Sequence, residues 1–150
     1  MRNTMIIAAA ALTLAACGQR HQANGAGSGA SVVVPGANGA SVTMGTSLPT
    51  NLPDWVKVYP GATVTTTTTA PGGGLIGMQT SAAPDAVAAF YKQAATASGF
   101  TTAMDSSSAA ASGANHVLVF TKDGTPKESL DATITTENGS TKIAILYGQG

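Results

Sequence analysis

His116 is the one histidine in the part of the chain that carries aromatic residues. Histidine is the side chain whose ordinary pKa suits proton transfer near neutral pH. A serine and an aspartate brought to it by the fold would complete a triad, which is defined by space and not by sequence order. No Gly-x-Ser-x-Gly elbow accompanies it, so a histidine at a strand edge is the simpler reading. Asp123 and Asp131 are candidates for an acid/base pair, but one falls on a turn and the other on the polar face of a strand, where solvated carboxylates are expected. Gly72-Gly73-Gly74 lacks the Lys-Ser/Thr and the helix of a phosphate loop and reads as a hairpin loop. Asn138-Gly139-Ser140 fits a glycosylation acceptor, and a tight turn explains it equally well. Thr65 to Thr69 would present regular hydroxyls of the kind that face carbohydrate or ice, although an exposed edge strand accounts for the run more simply. Trp55 and Tyr59 are the candidates for a partner-binding patch, since both residue types are enriched at binding hot spots. The alternative is that they pack over the open edge of the core. One histidine among scattered carboxylates makes no zinc site, and no cofactor is expected.

These residues sit in a chain of 150 residues with 7 basic and 7 acidic side chains. Only 9% of residues are charged. A balanced charge without a basic stripe argues against a nucleic-acid partner. Cys17 is the only cysteine, which excludes an intramolecular disulfide framework.

The N-terminus explains where that cysteine stands. Arg2 is followed by an apolar stretch from Met5 to Ala16 and then by Cys17-Gly18. The stretch is shorter than the ~20 residues of a transmembrane helix and has the layout of a secretory signal. Leu14-Ala15-Ala16-Cys17 resembles the lipobox of bacterial lipoproteins. The resemblance implies a signal peptide over residues 1–16, cleavage before Cys17, diacylation of its sulfur and acylation of its new amine. Two or more acyl chains give stable attachment where one gives only reversible binding. Gly18 is not Asp, which in a host with two membranes favours the outer membrane. Cleavage removes Arg2, so lipid and not polybasic attraction is the expected anchor.

Residues 17–51 are rich in Gly, Ala, Ser and Asn and carry no aromatic residue and only Arg20 as a charge. They read as a flexible linker spanning about 30 Å as a coil. His21 lies within it, where fixed catalytic geometry is not expected. Val32-Val33-Val34 has strand propensity, with irregular chain the favoured state. All the aromatics lie beyond the linker, so residues 52–150 are expected to form one small domain.

Within that domain Tyr59-Pro60-Gly61 suits a type II turn. Strands are expected over 62–70 and 75–80, and a helix over 84–98 that starts at Pro84 and stops at Gly99. Val87, Phe90, Tyr91, Ala94 and Ala95 share one helix face. Further strands are expected over 100–104, 116–121, 130–137 and 142–147, with a loop over 105–114 and a hairpin turn at Asn138-Gly139. The fold class is therefore α+β, an antiparallel sheet with one main helix packed on one face, in the order β-β-α-β-β-β-β.

The run from Trp55 to Ala62, followed by Pro84 to Lys92 and Ser98-Gly99-Phe100, resembles a recurrent layout in small envelope lipoproteins of bacteria. That resemblance implies a fold and a compartment and supplies no activity. The functional expectation is a lipid-anchored envelope lipoprotein whose non-catalytic domain is an interaction module, with the membrane and an envelope protein as partners. The alternatives are a small periplasmic hydrolase using His116 and a passive structural lipoprotein.

Overall fold

The structure is a computed structural model that describes residues 31–35, 41–110 and 113–150. The proposed signal over 1–16, Cys17 and His21 lie outside the described residues. Eight strands and one helix follow in the order β1 (Ser31–Pro35), β2 (Ser41–Gly45), β3 (Thr63–Ala70), β4 (Gly73–Thr80), α1 (Pro84–Ala97), β5 (Thr101–Ala110), β6 (Gly113–Lys122), β7 (Glu128–Glu137) and β8 (Ser140–Gln149). All strands join one antiparallel sheet, ordered β1-β2-β3-β4-β8-β7-β6-β5. The α+β class with a single packed helix is as expected. The order differs, because two strands precede the expected set.

Those two strands are a correction to an irregular linker over 17–51. Val32 and Val34 pair with Met44 and Val42, and Thr43 and Gly45 pair with Thr69 and Thr67. The open edge of β3 supplies ladder partners that composition does not reveal. As a result the threonine run is not an edge strand. β3 lies between β2 and β4, with Thr67 buried. A second correction concerns Asp105 to Ala110, expected as a loop. Asp105 pairs with Leu118 and Ser108 with Asn115 in the β5–β6 ladder. Here the ladder to β6 overrides the weak strand propensity of Ser and Ala.

Local chemistry sets the connections. Ala62 N–H donates to the Tyr59 carbonyl at 3.1 Å, and Gly61 at φ 76° closes the type II turn. Asn138 at φ 51° and Gly139 at φ 75° form the two-residue β7–β8 hairpin. Pro84 occupies the first turn of α1, where its missing N–H costs no hydrogen bond. The N-cap is Ala83, which makes no side-chain cap hydrogen bond. At the other end Phe100 N–H donates to Ala95 O and Gly99 N–H to Thr96 O, both at 3.0 Å, with Gly99 left-handed at φ 81°. This is a Schellman closure, completed by the buried ring of Phe100.

The helix crosses β5, β6 and β7 and buries Val87, Ala88, Tyr91 and Ala95. Opposite them the sheet contributes Leu118 and Phe120, Leu130 to Ile134 at every second position, and Ile143 and Ile145, all at most 1% exposed. The strict alternation of buried and solvent-facing residues on β6, β7 and β8 makes this the inner face. Thr141 Oγ1 donates to the Ala82 carbonyl at 2.6 Å and ties the approach to α1 onto β8.

Candidate functional site

The inner face has two halves. α1 covers one, and the chain between β2 and β3 lies over the other. Alternation and register turn Ser41, Thr43, Thr67 and Thr69 inward, the last two opposite Ile76 and Gly74 of β4. Thr67 Oγ1 donates to the Ser47 carbonyl at 3.0 Å, which holds the 47–51 segment above the strands. Between segment and sheet runs a groove of about 600 Å³. Its hydroxyls include those of Ser41, Thr43, Ser47, Thr50 and Thr69, and Leu48 and Pro49 add an apolar wall. Among the described residues no charged side chain lines it. A smaller recess continues past Asn51 and Gly73 to Tyr147, itself 5% exposed. Donors and acceptors that carry no charge suit an uncharged molecule with several hydroxyl or amide groups.

The sequence candidates fall elsewhere. Trp55 and Tyr59 are half-buried against the core. Trp55 packs on Phe100 at 5.1 Å between ring centroids and on Tyr147 at 6.2 Å. Tyr59 meets Phe90 edge-on at 5.2 Å. Both rings pack over the edge of the core.

His116 is buried on the inner face of β6. Its Nε2 lies 2.9 Å from Oδ1 of Asp85 in the first turn of α1, a close contact without the alignment of a hydrogen bond. Nδ1 is buried and has no partner among the described residues. Ser107 is the cross-strand neighbour of His116. The three triad residue types thus come near one another, but with the histidine ring 9% exposed little of it faces a substrate. Asp123 is 99% exposed beside Lys127, at the turn. Asp131 lies on the outer face of β7, where burial raises its carboxyl pKa above the usual range. Turn and strand keep the two carboxylates in separate surroundings. Burial likewise raises the pKa of the Tyr91 phenol, which lies against the Tyr59 backbone. The glycine run opens β4 and carries no helix on its end. Among the described residues no group of three His, Cys, Asp or Glu side chains could hold a metal ion. No helix among them is long and apolar enough to cross a membrane.

The groove was missed in the sequence because its walls come from 41–51 and 67–72, which meet only through the β2–β3 pairing. The available signal was the threonine run, read for its solvent side when its inner members are the ones that line a site.

A family model described as START domain-like matches residues 62–143, from the start of β3 into β8. No curated protein matches the chain, and no solved structure does.

Proposed function

The chain belongs to the START domain-like family, a ligand-binding fold, and on that premise we propose a lipid-anchored, non-catalytic binding module of the cell envelope. The observation that carries the reading is the uncharged, hydroxyl-lined groove under segment 47–51. Its ligand is a small neutral molecule that offers several hydrogen bonds, of which neutral sugars and polyols are the simplest class. The anchor is Cys17, set 13 residues before β1. Fully extended, that stretch reaches about 45 Å at most, which keeps the groove close to the lipid surface and at high effective concentration toward molecules held there.

Two measurements test the two halves of this proposal. Titration of a neutral disaccharide into the full chain, followed by the methyl resonances of Thr43 and Thr69, is expected to shift both, whereas the corresponding uronic acid shifts neither. Thr43→Val with Thr69→Val removes two hydroxyls at similar volume. At about 0.5–1.5 kcal/mol for each net hydrogen bond, affinity is expected to fall roughly tenfold. Equal binding by the double variant, or preference for the charged sugar, would exclude the groove as the neutral-ligand site. For the anchor, cells fed alkynyl palmitate are expected to label the full chain and to leave Cys17→Ala unlabelled. Label persisting in Cys17→Ala would remove the lipoprotein reading.

A further inference from the structure

The outer face of the sheet, away from α1, carries one transverse row through all eight strands. The register joins Val32 to Met44, Met44 to Thr68, and Thr68 to Leu75. It continues from Leu75 to Leu146, from Leu146 to Asp131, and through Val119 to Met104. Six of these eight residues are apolar, and Val32, Met44, Leu146 and Met104 are each about half exposed. At ~4.8 Å between strands the row is about 34 Å long. The rows beside it are low at the centre of the sheet: Gly77 and Ala144 on one side, Gly73 and Gly148 on the other. An apolar stripe of this length is unusual on a surface that stays in water.

The row has a definite polarity pattern. Counted inward from the β1 edge, the third residue is Thr68 and the fourth is Leu75. Counted inward from the β5 edge, the third is Asp131 and the fourth is Leu146. The first two residues from either edge are valine or methionine. A hydroxyl and a carboxylate thus stand at equivalent distances from the midline between β4 and β8. Asp131 Oδ1 is buried and accepts no hydrogen bond among the described residues, an unusual state for a buried carboxylate oxygen.

We propose that this face closes against a second copy of the chain, in a two-fold sheet-on-sheet dimer whose axis runs along the strands between β4 and β8. That operation places Thr68 over the partner's Asp131 and Leu75 over the partner's Leu146, so that each Thr68 Oγ1 donates to the outward oxygen of a carboxylate that has no donor among the described residues. The interface is isologous, as most closed dimers are, and aligned sheets pack in this way about 10 Å apart. Three rows across the sheet cover roughly 700 Å² per copy, close to the ~800 Å² of a stable interface. The hydrocarbon of a bilayer would cover the apolar residues but supplies no donor for Asp131.

The test is disulfide capture in membranes of cells that express the full chain. Thr68→Cys together with Asp131→Cys, under mild oxidation, is expected to convert most of the chain to a dimer on a non-reducing gel. Each single variant and the unaltered chain are expected to stay monomeric under the same oxidation. No dimer from the double variant, or equal dimer from either single variant, overturns the proposed register. Because the paired variant removes the hydrogen bond itself, sedimentation equilibrium of the unaltered full chain in detergent serves as the second measurement. Twice the protomer mass is expected, with association at least tenfold weaker in Leu146→Lys. A monomer at every concentration overturns the dimer, as does protection of Leu146→Cys from a water-soluble maleimide without any cross-linked product, which would assign the face to lipid or to another protein.

Discussion

Phe120→Ala is expected to destabilise the chain by about 3–5 kcal/mol, a large share of the 5–15 kcal/mol typical of a domain. Phe120 is fully buried on the inner face of β6, in the strand that α1 crosses. Its neighbours are held from two sides. Leu130 is its ladder partner on β7 and Thr102 its partner on β5, and both sit in a sheet too constrained to collapse into the vacated volume. The contrast is Val117→Ala on the same strand. Val117 faces the other side of the sheet and is 39% exposed, so its truncation should cost under about 1 kcal/mol. Urea unfolding of the full chain followed by far-ultraviolet circular dichroism measures both. Equal losses from the two variants would mean that the helix-facing side is not the principal core.

Gly74→Ala is expected to cost about 1–3 kcal/mol although it adds only one methyl group. A Cβ at this position would lie 2.5 Å from the Thr68 carbonyl oxygen and 2.5 Å from Oη of Tyr147. The carbonyl belongs to the β3 strand paired with β4. Tyr147 is nearly buried and braced by Trp55. Relief therefore requires the hairpin to open or the Tyr147 ring to shift, and that ring forms one end of the recess beside the groove. Thermal unfolding should show the loss, together with altered fluorescence of Trp55, the one tryptophan. A loss below about 0.5 kcal/mol with unchanged fluorescence would show that the hairpin yields freely.

These two positions also mark what could be read from the sequence. The left-handed glycines at the type II turn, at the end of α1 and in the β7–β8 hairpin were legible, because a positive φ is a local demand that few residues meet. The apolar alternation of β6, β7 and β8 was legible for a similar reason: each strand declares its buried face by itself. What escaped depends on pairing between distant segments. β1 and β2 have a linker's composition and become strands through the ladder to β3. Residues 105–110 are too small and polar to announce a strand, and β6 makes them one. The groove inherits both omissions, since without β2 the inner threonines have no opposing wall. His116 was legible as a proton-transfer residue by type, but its burial beneath Asp85 is set by the helix and not by its own sequence neighbours.

The position of β8 against β4 has a consequence for how the chain reaches this state. β3 with β4, and β5 through β8, each close over short turns. Such local pairings form early because little chain entropy is lost in closing them. The pairing of Thr80 with Thr141 and of Gly73 with Gly148 joins the first group to the last, across the whole of α1 and the C-terminal meander. The central ladder of the finished sheet is thus the one with the largest loop to close. That seam carries the largest loop-closure cost in the sheet. Until it closes, the exposed edges of both halves remain open to pairing with other chains.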